Sequence, residues 1–261
     1  MKLRLAALLS VFVLPALALA CSSFGSVPAP VADAGAEASS IAVDPADASV
    51  ADATSAALCA NATVCETFDE KDWMTAWSGA LGTTLSTTTS DVISPPSALL
   101  IAFKNDLGVQ SLTRPLRAAA KRYYARFEIK VSAVGDGEID LFGLRSAEDR
   151  LKTGGLFLVY STSNGAFVLE RSATTTSDPE QTLVATDLSS WTEVTIGLDY
   201  TAGTTGRCSV LVNGGVVVTR DLPADFPKPN QVQVELGAIY ANSVSRGWTV
   251  RIDDVVAGDL D

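Results

Sequence analysis

The fold is indicated first by residues 125–131, which read Ala-Arg-Phe-Glu-Ile-Lys-Val. Apolar and charged side chains alternate here, and a period of two is typical of a β-strand with one face in a core and the other in water. Residues 193–200, EVTIGLDY, repeat the pattern. Residues 208–218, CSVLVNGGVVV, place Asn213-Gly214 between two apolar runs. Asn-Gly in that setting predicts a β-hairpin, because a type I′ turn needs positive φ at both central residues.

Similar short runs extend this pattern over the chain from residue 59 onward. Only residues 71–77 and 114–121 indicate brief helix. Many short strands with regular turns and no alternating helices favour an all-β, two-sheet antiparallel sandwich over an α/β fold. The other strands are predicted near residues 84–89, 98–103, 138–144, 155–161, 166–171, 231–240 and 248–257.

Five segments of this strand pattern together resemble a known fold family, the concanavalin A-like, laminin G-like jelly roll. The resemblance covers residues 59–261 and implies one jelly-roll sandwich over that range. It rests on strand patterns and therefore concerns fold more than function. The segments are residues 65–69 (CETFD), 123–131, 137–144, 191–214 with its LVNG hairpin, and 247–258.

Residues 138–143, EIDLFG, also resemble the Glu-Ile-Asp core of the family 16 glycoside hydrolases. That resemblance implies a nucleophile, a helper Asp and an acid/base Glu along one strand, since a retaining glycosidase needs two nearby carboxyls. The position of the second Glu holds Phe142 or Gly143, and neither transfers a proton. We therefore predict no catalytic residue here. Glu138, Asp140 and Phe142 are expected to form a row on one strand face that contacts a glycan, or to be ordinary polar residues of a solvated strand.

Aromatic side chains could add stacking surfaces for sugars. Most aromatics of a sandwich lie in the core, and Trp191 at the start of an alternating strand fits that place. Trp77, Tyr160 and Tyr240 are the candidates for an exposed glycan-binding face.

Acidic residues near both ends of the sandwich form a candidate calcium site, since Ca²⁺ prefers oxygen ligands. Glu66 and Asp69 would meet Asp253 and Asp254 if the terminal strands pair. The alternative is that these four are edge charges that discourage strand addition. No other cofactor is predicted.

Cysteine spacing favours one local disulfide. Cys59 and Cys65 enclose five residues at the start of the sandwich, whereas Cys208 lies in an apolar strand and is expected to be a buried thiol. Cys65 with Cys208 is the alternative pair. The spacing matches no structural zinc site.

The first 58 residues are predicted to lie outside the folded domain. Residues 1–20 have the layout of a signal peptide, and residues 17–21, LALAC, resemble a lipobox, which implies lipidation of Cys21. Ser22 after that cysteine points to the outer membrane, facing the periplasm or the cell surface. The alternative is ordinary cleavage and a secreted soluble protein. Residues 21–58, rich in Ala, Ser and Asp and without Lys or Arg, are expected to be a disordered tether.

Composition excludes several classes of function. The 261 residues contain no histidine, which removes Ser-His-Asp and Cys-His catalysis. The net charge of −11 argues against binding nucleic acid or an anionic membrane surface. We therefore predict a tethered monomer that contacts the membrane only through its lipid anchor and binds a polysaccharide or a cell-surface protein without catalysis. The alternative is a glycan-cleaving enzyme, a glycoside hydrolase or a polysaccharide lyase-like protein, with an atypical active site.

Overall fold

The computed structural model describes residues 59–60, 62–104, 109–118, 120–147, 154–171, 181–185, 187–201, 205–224, 226, 230–241 and 246–260. The predicted signal peptide, the lipidation of Cys21 and the tether over 21–58 lie outside these residues. Within them, no helix is long and apolar enough to cross a bilayer.

Strands dominate the described residues, as the period-two pattern predicted. A short 3-10 helix, Trp73–Ala76, lies where brief helix was expected. The strands in chain order are β1 (Val64–Glu66), β2 (Leu85–Thr88), β3 (Ala98–Phe103), β4 (Gln110–Pro115), β5 (Arg122–Ala133), β6 (Glu138–Ser146), β7 (Gly155–Ser161), β8 (Gly165–Arg171), β9 (Gln181–Ala185), β10 (Thr192–Asp199), β11 (Arg207–Val212), β12 (Gly215–Asp221), β13 (Val232–Ala241) and β14 (Trp248–Asp259).

The helix expected over 114–121 was a wrong prediction. Arg114 and Pro115 end strand β4, and the next residue, Leu116, donates its backbone N–H to the carbonyl of Val232 on β13 at 2.8 Å. Proline disfavours helical geometry at the residue before it, so the chain continues alongside β13.

Two antiparallel sheets form the sandwich. The order of the eight-stranded sheet is β12-β11-β10-β5-β14-β3-β2, with β1 paired to β14, and the order of the six-stranded sheet is β4-β13-β6-β7-β8-β9. Because β1 pairs with β14, the first and last strands of the domain are neighbours. The all-β, two-sheet prediction is confirmed.

The main core lies between the sheets. Phe127 of β5 and Phe142 of β6 meet there with ring centroids 4.0 Å apart and planes 15° from parallel, and both are fully buried. Ile129 and Leu144 continue the same layer. The alternating apolar residues of the sequence therefore supply the contacts between the two sheets.

The Asn213-Gly214 turn links β11 to β12 as predicted. Its residues have φ angles of 49° and 75°, the positive values that a type I′ turn requires. Val212 pairs with Gly215 across the two-residue loop.

The start of the described chain packs on the outside of the eight-stranded sheet. Cys59 and Cys65 form a disulfide, the pairing favoured from spacing, and Cys208 is a buried free cysteine. Ala62 and Cys59 cover the ring of Tyr124, which faces away from the main core. A Cβ on Gly258 would lie 3.2 Å from the backbone nitrogen of Thr63, so the chain passes close to this glycine.

Candidate functional site

The six-stranded sheet has an outer face, turned away from the main core, on which several predicted residues lie. Cross-strand partners share a face of a sheet, so the register identifies its members. The described side chains that define this outer face are Glu138, Asp140, Arg145, Phe157, Val159, Phe167, Gln233, Glu235, Ile239 and Tyr240.

Two of the three residues predicted to form a row on β6 share the outer face. Glu138 pairs with Ser161, and Asp140 pairs with Val159. The register then shifts between Asp140 and Phe142, so that Phe142 points into the core. The prediction that Phe142 stacks on a sugar was therefore wrong, because a β-bulge inserts one residue and reverses the alternation.

Tyr240 of β13 takes the place expected for Phe142. It pairs directly with Asp140, and 48% of its surface is exposed. The β13 register is irregular between Leu236 and Tyr240, where Gly237 has φ 130° and a Cβ would lie 2.4 Å from the carbonyl oxygen of Gln110. This glycine permits the irregular segment that places Tyr240 outside.

The other two predicted stacking aromatics, Trp77 and Tyr160, are buried, so those predictions were wrong. Trp77 donates its indole N–H to Oε2 of Glu66 at 3.2 Å. Tyr160 faces the main core and packs edge-on against Trp248, with ring centroids 5.4 Å apart. Burying these two aromatic rings against apolar side chains is more favourable than exposing them to water.

A band of side chains crosses the outer face from β13 to β9. Its members, Tyr240, Asp140, Val159, Phe167 and Leu183, are consecutive cross-strand partners. Asp140 is fully buried, whereas Leu183 at the far end is 53% exposed. Four inter-strand spacings make this band roughly 19 Å long. Val159 and Phe167 are buried like Asp140, so the exposed members of the band are its two ends, Tyr240 and Leu183.

A buried polar network, which the sequence did not reveal, lies beside this band. Arg145 of β6 and Glu235 of β13 form an ion pair, and both are about 5% exposed in their side chains. Ser111 donates its hydroxyl to Oε1 of Glu235 at 2.6 Å. In the amide orientation that satisfies both groups, the oxygen of Gln233 accepts from the two terminal nitrogens of Arg145 at 3.0 and 2.7 Å. Every partner of the buried charges is thus supplied by this sheet.

The four carboxylates of the predicted calcium site do not converge, although the terminal strands do pair. Glu66 accepts from the N–H of Phe68 and from Trp77, and Asp69 accepts from the N–H of Ser97. Across the described part of the chain, no group of three Asp, Glu or Cys side chains is placed to hold a metal ion.

The other two carboxylates of the predicted calcium site, those of Asp253 and Asp254 on β14, bind a loop. Asp253 accepts from the N–H groups of Ile93 and Ser94 at 3.2 and 3.1 Å, and Asp254 accepts from the hydroxyl of Ser94 at 2.6 Å. These side chains therefore stabilise local structure, because backbone N–H groups and the side chains of Trp77 and Ser94 donate to carboxylate oxygens that a cation would need.

Solved structures of other proteins share the fold of this chain. No protein-family model matches the chain, and no curated protein matches it significantly in sequence. Among solved structures, endo-β-1,4-glucuronan lyase from the fungus Trichoderma reesei matches at 13% identity and TM-score 0.58, over 76% of this chain and 96% of that one. The fold is a concanavalin A-like jelly roll.

Two further solved structures share this jelly roll. Alginate lyase Aly36B in complex with alginate trisaccharide matches at 12% identity and TM-score 0.53, over 77% of this chain and 97% of that one. Cellulose induced protein Cip1 matches at 15% identity and TM-score 0.51, over 76% and 97%. The resemblance of residues 138–143 to family 16 glycoside hydrolases gains no support from these proteins.

The opposite sheet of the jelly roll carries an acidic row, formed by Glu193, Glu128 and Asp253 on three adjacent strands. Glu128 of β5 lies directly between the other two. Burial, followed by the charge of Glu193, raises the pKa of Glu128 to about 7. Burial also raises the pKa of Asp253 to about 6. Arg126 offsets part of this repulsion through its 2.8 Å ion pair with Glu193.

Neutralising the centre of the acidic row should remove a pH-dependent loss of stability. The pKa of Glu128 is above its ordinary value of 4.5, so the native state holds a proton that the unfolded chain releases between about pH 4.5 and 7. Stability therefore falls as pH rises through that window. We expect Glu128→Gln to raise the free energy of unfolding at pH 8 by about 1 kcal/mol, after allowance for solvent screening, and to leave it unchanged at pH 4.5.

Urea unfolding at the two pH values measures this difference. Glu70→Gln, a change of the same kind at an exposed position, serves as control and should alter neither value. An equal gain from Glu128→Gln at both pH values would contradict the role of charge repulsion.

Proposed function

We propose that this protein is a glycan-binding module that uses the outer face of its six-stranded sheet and does not cleave its ligand. The observation that carries the proposal is the pairing of Tyr240 with Asp140, two positions from Glu138 on the same face. An exposed aromatic ring offers an apolar surface on which a sugar ring can stack, and the carboxylate of Glu138 accepts hydrogen bonds from hydroxyls. Asp140 itself is fully buried, so the exposed groups of this surface are Tyr240 and the partly exposed Glu138.

The fold neighbours are compatible with this use of the sheet. One of them was solved with an alginate trisaccharide, and another is a lyase of glucuronan. At 12% and 13% identity these likenesses concern the jelly roll, so the proposal rests on the residues of the outer face.

The same residues argue against cleavage. A retaining glycosidase needs a second carboxyl across the scissile bond to protonate the leaving oxygen. The bulge in β6 turns Phe142 into the core, and Gly143 next to it has no side chain. The chain also contains no histidine, the side chain that most often acts as a general base.

Replacing Tyr240 with alanine should weaken binding about 3- to 10-fold, because an aromatic contact contributes roughly 0.5–1.5 kcal/mol. Full-length protein is tested for retention by a panel of polysaccharides, and the affinity of the retained glycan is then measured by calorimetry. Val216→Ala, an exposed apolar residue of the other sheet, is the matched control and should leave affinity unchanged.

The same panel decides between binding and cleavage when released reducing ends and unsaturated products are measured. We expect retention without release. Steady product release that is lost in Glu138→Gln would establish an enzyme instead. An absence of retention by every polysaccharide would overturn the glycan-binding proposal.

A further inference from the structure

We infer that the connection between β2 and β3, residues 89–97, is a pH-sensitive strap, which is held closed on β14 by a protonated carboxyl and opens as the pH rises. The strap contacts the eight-stranded sheet, so this inference is independent of the glycan-binding proposal for the outer face of the other sheet. It follows from how the strap is attached and from the charges that lie beneath it.

The carboxyl of Asp253 on β14 is the buried attachment of the strap. It accepts from the N–H groups of Ile93 and Ser94 at 3.2 and 3.1 Å and from the hydroxyl of Ser94 at 3.3 Å. The residue is fully buried, although it belongs to the side of the sheet that is turned away from the main core. A charge on this carboxyl is therefore kept from water while the strap is closed.

The nearest charges to this carboxyl are negative. Glu128 lies opposite Asp253 on β5, and Asp254 follows it on β14. Among the residues that the structure describes, no cation forms an ion pair with Asp253 or Glu128. The cations of this surface have other partners, which are Glu193 for Arg126, Asp91 for Lys130, and Ser90, Asp91 and Ser132 for Arg251. Burial and like charges together favour the neutral form of Asp253.

The direction of the pH dependence follows from these contacts. Burial raises the pKa of Asp253 to about 6, because it outweighs the opposing effect of the N–H donors of the strap. Opening the strap hydrates the carboxyl and returns its pKa toward the ordinary value of 3.8. The closed form therefore holds a proton that the open form releases, so closure is most stable below about pH 4 and weakens as the pH rises through 6. Ionisation of Glu128, with its pKa of about 7, adds a second negative charge beside Asp253 and acts in the same direction.

The exposed ion pair of the strap does not share this dependence. Lys130 donates to Asp91 at 2.8 Å, and this hydrogen bond lowers the pKa of Asp91 below its ordinary value of 3.8. Both groups are therefore charged between pH 5 and 8, and an exposed pair of this kind contributes little at either value. The change with pH comes from the buried attachment at Asp253.

Hydrogen exchange of the full-length protein, followed by mass spectrometry at pH 5 and pH 8, tests this inference. Labelling times are scaled for the intrinsic exchange rate, and a peptide covering the strap is compared with one covering residues 111–116, where Leu116 donates its N–H to Val232 at 2.8 Å. We expect protection of the strap, relative to that reference, to fall at least about fivefold from pH 5 to pH 8. One pKa unit between the closed and open forms corresponds to about tenfold, and solvent screening reduces it. Equal or greater relative protection at pH 8 overturns the inference.

Two variants identify the carboxyl that is responsible. Asp253→Asn is uncharged at every pH and keeps an oxygen that accepts from the strap, so its protection at the two pH values should agree within about twofold. Asp69→Asn is the matched control, because Asp69 accepts from the N–H of Ser97 at 2.7 Å at the other end of the strap. This control should keep the pH dependence of the wild type. An equal loss of the dependence in both variants overturns the role of Asp253.

Glu128→Gln provides a second test that leaves every hydrogen bond of the strap in place. It removes the neighbouring negative charge, so we expect a change in protection between pH 5 and pH 8 that is smaller than in the wild type. This variant keeps the inference testable if Asp253→Asn does not fold. A pH dependence equal to that of the wild type in Glu128→Gln would contradict the contribution of the acidic row.

Discussion

Replacing Glu235 with alanine is expected to lower the free energy of unfolding by about 3–5 kcal/mol. The substitution leaves the guanidinium of Arg145 buried without its counter-ion, and it also removes the acceptor of the Ser111 hydroxyl. The buried guanidinium of Arg145 has lost its contact with water, and its ion pair with the carboxylate of Glu235 offsets that cost. Chemical denaturation with urea measures the loss.

Two comparisons separate this effect from the loss of an ordinary ion pair. Asp221→Ala breaks the exposed 3.2 Å pair with Arg207 and should cost at most about 1 kcal/mol. The double variant Arg145→Met/Glu235→Leu removes both charges and should recover most of the stability, since apolar residues of similar volume replace buried pairs well. A loss below 1 kcal/mol in Glu235→Ala would mean that water reaches the guanidinium.

Replacing Phe142 with alanine is expected to cost about 3–5 kcal/mol and to leave the intrinsic affinity for glycans unchanged. Its ring stacks on Phe127 in the main core and is fully buried, so truncation leaves a cavity between the two sheets. The free energy of unfolding from urea titration and the glycan affinity of the folded fraction test both parts.

Tyr240→Ala is the complementary variant, because that ring lies on the outside of the same sheet. We expect a stability change within about 0.5 kcal/mol together with weakened binding. The opposite pattern, with Phe142 governing affinity and Tyr240 governing stability, would return Phe142 to the binding face.

The local pattern of apolar, polar and turn residues was sufficient to predict most strands of the fold. Alternation in residues 125–131 and 193–200 predicted two central strands of the eight-stranded sheet, β5 and β10, and the Asn213-Gly214 pair predicted the hairpin beside them. These features depend on residues within a few positions of one another, where period and turn chemistry act directly. Strands β4 and β9 were missed, because their mixed polar sequences lack a clear alternation.

The candidate site could be predicted only in part. Glu138 and Asp140 share a face because they are two residues apart, and this periodicity is visible in the chain. The position of Phe142 depends on a bulge, which adds one residue and changes every side chain after it from one face to the other. No residue type in the segment EIDLFG indicates a bulge, so Phe142 was wrongly predicted to lie on the outer face.

By itself, then, the sequence determined the all-β class, the hairpin and the placement of two acidic residues on one strand face, since each follows from local geometry. Only the tertiary structure decided that Tyr240 lies beside Asp140, that Arg145 is neutralised by Glu235 ninety residues away, and that Glu128 lies between two other acids. Those contacts are set by strand order and register. Both arise from the packing of the whole sandwich, in which each strand finds its partner through the fit of many side chains at once.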